Sequence, residues 1–268
     1  MLEDYIDFIT AVREIEIPFE CGISEMSKEE LQLLLYFLRR KHPSKVLEIG
    51  VSGGGTTKFI LDALPKTAEL ISVDISEVWY HDRKKATGFV AHEFYDKNVH
   101  SDWKQFFGCD ISECIHHIGN GIDFCILDTV HALPGEFLSF LAVLPYLKDD
   151  CIFVLHDIGL HTKRIFENNP AQMKKLMYCN LLLFSSIYPT EKFIHPDQFI
   201  PNIGALIINM HRYKYIKQVM QMLFIPWRYM PNDKILTLTK NIIKRYYDKD
   251  CLNLFISAVN YNKNTLSY

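Results

Sequence analysis

The chain has 268 residues, of which 49% are hydrophobic and 23% are charged, and its formal net charge is −3. This size predicts one large core with an appendage, and the small negative charge argues against a broad electrostatic grip on nucleic acid. Because no run approaches the ~20 apolar residues that a bilayer-spanning helix needs, we expect no membrane span.

The cysteine pattern indicates a reducing environment. Seven cysteines form no C-x-x-C pair, and several lie in apolar runs such as FCIL and CIFVL, where a thiol behaves as a small hydrophobic group. The first residues, MLEDYIDF, lack the basic and then apolar segments of a secretory signal. We therefore expect a cytoplasmic protein, and the sequence leaves a homo-oligomer open.

Five short apolar runs alternate with helical segments in the first 157 residues. The S-K-E-E sequence at 27–30 is a capping box that predicts a helix ending at Pro43. Helices are also predicted at about 56–64, 111–118 and 135–147. The apolar runs, which are typical of strands buried on both faces, are VLEIG, LISVD, KQFFGCD, IDFCILD and CIFVLHD. This alternation predicts an α/β fold with a doubly wound, Rossmann-like parallel sheet.

The pattern changes after Asp157. A helix is predicted over AQMKKLMYCN, followed by strands at LLLFSSIY and NIGALIIN. Only thirteen residues, 189–201, separate these two strands. That is too few for a crossover helix, so we expect them to pair antiparallel at the sheet edge. The result is a seven-stranded sheet, mostly parallel, with an antiparallel last strand. Residues from 211 onward are helical and basic, giving predicted units at 1–26 (extension), 27–210 (main domain) and 211–268 (helical appendage).

The stretch VLEIGVSGGGTT at 46–57 is the strongest sign of a ligand site. In open parallel sheets, ligands bind beyond the carboxyl ends of the strands, where a glycine-rich turn lets them approach the backbone. A dinucleotide fingerprint would need glycine where Ser52 lies, and a phosphate-binding P-loop would need a lysine where Thr56 lies. Glu48 would repel a pyrophosphate but would suit an ammonium or sulfonium group.

These residues resemble a known family. V-L-E-I-G-x-x-x-G-x-T is similar to motif I of class I S-adenosylmethionine-dependent methyltransferases. Asp74 ends LISVD and Asp110 follows FFGC, in the order of that family's ribose and adenine residues. The segments IDFCILDTVH and FVLHD resemble the small-molecule O-methyltransferase branch, including relatives that act on sugars and antibiotics. The resemblance covers about residues 27–209.

The resemblance implies a set of cofactor-binding residues. Asp74 would bind the ribose and Asp110 the adenine of S-adenosylmethionine. The methionine end would be held by Glu48, Gly50, Gly54 and Thr56. The alternatives from the residues alone are a solvated strand-end carboxylate for Asp74 and an N-cap of the helix ISECIHH for Asp110. The joint spacing of the two residues favours binding.

The resemblance also implies residues for the acceptor chemistry. Asp128 and Asp157 would hold a magnesium ion, and His131 would be the base, since imidazole is a credible base near neutral pH. Magnesium prefers oxygen ligands and Ile158 offers none, so a metal-free site stays an alternative. His131 could instead cap the next helix, and strand alternation predicts that His156 points to the opposite face.

The sequence therefore predicts an enzyme that transfers a methyl group from S-adenosylmethionine to a small polar acceptor. The acceptor class, a hydroxyl oxygen on a sugar or sugar-linked metabolite, is only what the resemblance implies. A second hypothesis is an NAD-linked epimerase or dehydrogenase, against which stand Ser52 and the absence of a Y-x-x-x-K pair in a plausible helix. A third is a non-catalytic cofactor-binding module that assists a partner through its helical tail.

Overall fold

The fold centres on one seven-stranded sheet. A computed structural model describes residues 2–17, 24–162, 178–188, 190–209 and 212–266. The strands are β1 Lys45–Ile49, β2 Glu69–Asp74, β3 Asp102–Phe107, β4 Ile122–Leu127, β5 Leu147–His156, β6 Lys192–Ile194 and β7 Ile203–Ile207. They lie in the order β3-β2-β1-β4-β5-β7-β6.

Helices cover both faces of this sheet. In the described residues they are α1 Leu2–Arg13, α2 Lys28–Lys41, α3 Gly55–Ala63, α4 Phe89–Phe94, α5 Ile111–Ile118, α6 Gly135–Val143, α7 Cys179–Ser186, α8 Arg212–Met222, α9 Asp233–Tyr246 and α10 Lys249–Leu266. Two short 3₁₀ segments are Leu144–Tyr146 and Leu160–Thr162. None of the described helices is both long and apolar enough to cross a membrane.

Strand directions confirm the predicted α/β sheet. β1 to β5 pair parallel to one another, whereas β7 runs antiparallel between β5 and β6. Every residue of β4 is buried, because separate hydrophobic clusters cover the two faces of the sheet. This double burial explains why the central strands are mainly apolar in sequence, without the polar alternation of a one-sided sheet.

The capping box predicted at the start of α2 is present. The Ser27 hydroxyl accepts from the backbone N–H of Glu30, and the Glu30 carboxylate accepts from the Ser27 N–H at 2.6 Å. These bonds satisfy two N–H groups that a helix start otherwise leaves unpaired. They also fix the direction in which the chain before α2 approaches the glycine-rich loop.

The basic C-terminal segment is helical, as predicted. The Tyr247 hydroxyl donates to the carbonyl of Leu141 in α6 at 2.7 Å, and the Arg228 N–H donates to the carbonyl of Leu133 at 2.9 Å. Helices α8–α10 therefore pack on the side of the sheet that carries α5 and α6. The boundaries at 26/27 and 210/211 stay predictions.

One predicted strand is wrong. In the stretch LLLFSSIY, 181–188, the first six residues belong to the eight-residue helix α7, and the outer edge strand is instead the short β6. The apolar residues gave a strand-like run, but Leu183 and Phe184 both pack into one core cluster, which a strand's alternation would not allow. Most of the helix predicted at 171–180 lies outside the described residues.

Gly50, at the end of β1, shows how closely the loop packs. Its φ is +92°, and a Cβ atom there would lie 1.6 Å from the carbonyl oxygen of Asp128. Replacing Gly50 with Ala is therefore expected to strain the backbone and separate β1 from β4, costing at least about 3 kcal/mol of unfolding free energy. Urea denaturation would measure this. The matched change Gly119→Ala, with φ +72° and no atom within 4 Å, should cost far less, and equal losses would contradict the packing argument.

Candidate active site

The glycine-rich loop borders a cavity of about 490 Å³ at the carboxyl ends of the central strands. Four of the predicted cofactor residues line it, namely Glu48, Gly50, Gly54 and Thr56. Asp128, predicted for the acceptor chemistry, lines it too. The structure thus brings together the loop residues and one residue of the predicted catalytic set.

Residues before α2 cover part of this cavity. The Ser52 hydroxyl donates to Glu25 at 2.9 Å, and the Tyr80 hydroxyl donates to the other Glu25 oxygen at 2.9 Å. The Trp79 indole N–H donates to the Ser52 hydroxyl at 3.1 Å. Glu25 therefore ties the β1–α3 loop to the β2–α4 loop. Sequence reasoning did not identify Glu25 or Trp79, because neither belongs to a motif.

Glu48 is a buried carboxylate at the floor of the cavity. It accepts from the Thr57 hydroxyl at 2.9 Å and from the Ser72 hydroxyl at 2.6 Å. Burial raises the pKa of Glu48 to about 7, and the nearby charges of Asp74 and Asp128 act in the same direction. A cationic ligand group beside Glu48 would favour its ionised form.

This shift predicts a pH-dependent affinity for S-adenosylmethionine. Because only ionised Glu48 attracts the cation, affinity should rise about tenfold from pH 6 to pH 8, across a pKa of about 7. Isothermal titration calorimetry at several pH values would measure the change. Glu48→Gln is the matched control, because it keeps the shape of the side chain and removes its charge, and should flatten the profile. An unchanged profile in that variant would contradict the role of Glu48.

Asp74 lies at the end of β2 and holds the glycine-rich loop. One carboxylate oxygen accepts from the backbone N–H groups of Val51 at 2.8 Å and Ser52 at 3.1 Å, and the other accepts from the Ser76 N–H at 2.8 Å. Asp74 does not line the 490 Å³ cavity. Its predicted contact with the ribose stays a prediction, beside an observed role in shaping the loop.

Asp110 caps helix α5. Its carboxylate accepts from the Ser112 backbone N–H at 2.8 Å and from the Ser112 hydroxyl at 2.6 Å. This is the N-cap role that the residue pattern alone suggested. Asp110 also lies outside the lining of the cavity, and its adenine contact stays a prediction.

The predicted acceptor residues form a compact cluster after β4 and β5. Asp128, His131 and Asp157 each offer a polar atom, and these atoms lie within 4.8 Å of one another. His131 Nε2 is 3.2 Å from Asp157 Oδ2 and 3.7 Å from Asp128 Oδ1. His131 and Asp157 both have left-handed backbones, with φ of +55° and +56°. Such strain in non-glycine residues is typical of functional sites.

The predicted direction of His156 is wrong. The ring contacts the cluster, with Nδ1 3.0 Å from Asp128 Oδ2 and 3.7 Å from Asp157 Oδ2, while Nε2 lies 3.5 Å from Glu30 Oε2. Alternation places side chains on opposite faces only while the chain stays in the strand. β5 ends at His156, and the left-handed backbone of Asp157 returns its side chain toward the histidine.

Opposite charges alter the protonation of this cluster. Burial alone would lower the pKa of His131, but the Glu136 carboxylate beside the ring, together with Asp128 and Asp157, raises it to about 9. Burial likewise opposes protonation of His156, yet Asp128 and Glu30 raise its pKa well above the usual value. Burial raises the pKa of Asp128, but His156 and His131 outweigh this effect and lower it below its usual value. The neighbouring carboxylates therefore favour the positively charged form of both rings.

This cluster is a poor fit for magnesium. The ion prefers six oxygen ligands in near-octahedral geometry, whereas the grouped atoms are two carboxylate oxygens and one imidazole nitrogen. The side chain of Ile158 is buried and has no oxygen to offer. The ring of His131 already contacts the Asp157 carboxylate, and the ring of His156 contacts that of Asp128. The two rings thus lie where a metal ion would balance these negative charges. The predicted magnesium ion stays a prediction.

Comparisons with known proteins agree with this geometry. Residues 47–158 match the model of a family described as a methyltransferase domain. No curated protein sequence matches the chain.

Solved structures show the same fold at low identity. An O-methyltransferase from Bacillus cereus in complex with S-adenosylhomocysteine is 14% identical, with 77% of this chain and 100% of that chain covered and a TM-score of 0.50. A Podospora anserina methyltransferase bound to S-adenosylhomocysteine is 12% identical, covering 76% and 87%, with a TM-score of 0.50. A Corynebacterium glutamicum protein is 13% identical, covering 78% and 96%, with a TM-score of 0.51.

The sheet and the glycine-rich loop have the fold of S-adenosylmethionine-dependent O-methyltransferases. The match of residues 47–158 to a methyltransferase domain agrees with this fold, and two of the solved structures hold S-adenosylhomocysteine, the product of that cofactor.

Proposed function

We propose that this protein transfers a methyl group from S-adenosylmethionine to a hydroxyl oxygen of a small polar acceptor, a sugar or a sugar-linked metabolite. The hydroxyl oxygen attacks the methyl carbon, the bond from that carbon to sulfur breaks, and S-adenosylhomocysteine leaves. Enzymes assist such a displacement mainly by holding the two reactants close and by removing the proton of the nucleophile.

The observation that carries this proposal is the charge of the cavity. Four carboxylates line it, from Glu25, Glu48, Glu93 and Asp128, and among the described residues no lysine or arginine does. Such a cavity attracts a sulfonium or ammonium group and disfavours the pyrophosphate of NAD. This favours the methyl donor over the dinucleotide hypothesis.

The second support is the position of Asp128, which lines the cavity and belongs to the His131 cluster. A methyl group held beside Asp128 would lie next to the residues proposed to handle the acceptor. His131 takes the acceptor proton, and because its pKa is about 9, the ring must lose its own proton before it does so. Asp157 orients the ring through its contact with Nε2.

The sugar acceptor rests on the sequence resemblance to sugar- and antibiotic-modifying relatives. A cytoplasmic location is part of the same proposal, and the six cysteines that the structure describes support it, because all are free thiols.

Turnover with labelled cofactor tests the proposal. The purified protein is incubated with methyl-labelled S-adenosylmethionine and the small-molecule fraction of a lysate, with and without added magnesium. We expect labelled small molecules and S-adenosylhomocysteine in equal amounts. The labelled methyl group should resist alkali, as a methyl ether does and a methyl ester does not. Binding of the cofactor without any S-adenosylhomocysteine would instead favour the non-catalytic module. Strict dependence on magnesium would overturn the metal-free account of the cluster.

A further inference from the structure

Asn202, which has no role in the proposed reaction, lies at the centre of a buried set of polar contacts. It immediately precedes β7 and is 5% exposed. Its side-chain amide donates to Glu30 Oε1 at 2.6 Å and to Asp157 Oδ1 at 2.8 Å. One amide group has two N–H bonds, so both are used to bridge two buried carboxylates.

The backbone of Asn202 holds the same turn. Its carbonyl accepts from the N–H of Ile158 at 3.0 Å. A Cβ atom on Gly159 would lie 2.5 Å from the carbonyl oxygen of Pro201, so the two chain segments pack without space for a side chain. Asp157, which has a left-handed backbone, is thus fixed by a side-chain bond and by the backbone of the neighbouring strand.

Glu30 connects this contact set to the cofactor side. It is 3% exposed and belongs to the capping box of α2, whose preceding residues, Ser24 to Met26, line the cofactor cavity. Its Oε2 atom accepts from the Ser27 N–H and lies near His156, while its Oε1 atom accepts from Asn202. One side chain therefore contacts both the start of α2 and the residues around Asp157.

From these contacts we propose that Asn202 is a positioning residue, which holds the Asp157 carboxylate against His131 and, through Glu30, joins the cofactor-covering segment to the acceptor cluster. The expected effect of Asn202 on kcat rests on the proposed function, methyl transfer. The physical reason is electrostatic. Without the amide, two buried carboxylates would lose the donor that they share, and Asp157 would lose the 2.8 Å bond to its Oδ1 atom.

Kinetics of Asn202→Ala, Asp157→Asn and the double variant test the inference. We expect Asn202→Ala to lower kcat at least tenfold while the Kd for S-adenosylhomocysteine changes less than twofold. Adding Asn202→Ala to Asp157→Asn should cause no further loss of kcat, since Asn202 acts through Asp157. Independent, multiplying losses would overturn the inference, as would an unchanged kcat in the single variant.

Two further variants separate positioning from general loss of structure. Asn202→Leu removes the amide but keeps the side-chain volume, and should behave like Asn202→Ala. Asn262→Ala is the matched control, because Asn262 is a fully buried asparagine that bonds Trp227 and Leu223 away from the site. It should lower Tm with little change in kcat. An equal loss of kcat in Asn262→Ala would indicate a merely structural role.

Failure of the proposed function can be told apart from failure of this inference. If the wild-type protein transfers no methyl group, crystal structures of wild type and Asn202→Leu still test whether Asn202 positions Asp157. The inference expects the Asp157 carboxylate of the variant to leave its 3.2 Å contact with His131 Nε2. An unmoved carboxylate would overturn the inference even if methyl transfer is established.

Discussion

Replacing His131 with Gln is expected to lower kcat for methyl transfer by about 100- to 1000-fold, within the usual contribution of a positioned proton acceptor. His131 lies outside the lining of the cofactor cavity, so the Kd for S-adenosylhomocysteine should change little. Single-turnover kinetics with labelled cofactor would separate this chemical step from binding.

The control for this variant is His117→Gln, because His117 is exposed on α5 and has no contact with the acceptor cluster. It should retain the wild-type kcat. Full activity in His131→Gln would remove His131 from the proton-transfer step, whereas a matching loss of cofactor affinity would place its role in binding.

Replacing Asp74 with Ala should raise the Kd for S-adenosylhomocysteine about 100-fold or more. The carboxylate makes two charge-assisted bonds to the backbone of the glycine-rich loop, and each such bond contributes roughly 1.5–3 kcal/mol. Loss of these bonds would release the loop, and loss of the proposed ribose contact would add to the effect. Isothermal titration calorimetry would measure the Kd.

Asp102→Ala provides the comparison, because Asp102 is an exposed carboxylate at the opposite end of the neighbouring strand β3. It should leave the Kd unchanged. If Asp74→Ala bound the cofactor as wild type does, neither the loop-holding bonds nor the ribose contact would matter for affinity.

The centre of the sheet was predictable because its strands are largely buried on both faces. β1, β2, β4 and β5 appear in the sequence as mainly apolar runs, and glycines mark the turn after β1. The region after β5 was less predictable, because the apolar residues of α7 have no clear period. A three-residue edge strand such as β6 leaves almost no pattern to detect.

The candidate site was predictable where a motif carried it. Glu48, Gly50, Gly54 and Thr56 follow one another within nine residues, and the structure places them on one cavity. Contacts between distant segments were not predictable, since Glu30 and Asn202 are 172 positions apart. The direction of His156 also depended on the left-handed backbone of Asp157. An aspartate in the sequence does not by itself predict that backbone conformation.

A thermal-shift comparison of S-adenosylhomocysteine with NAD tests the central claim most directly, namely that an acidic cavity beside the glycine-rich loop binds the methyl-donor nucleoside. At a hundred times its dissociation constant, a ligand that binds only the folded protein adds about 2.7 kcal/mol to the unfolding free energy. We predict a clear rise in Tm with S-adenosylhomocysteine and none with NAD. A rise with NAD and none with S-adenosylhomocysteine would contradict the account.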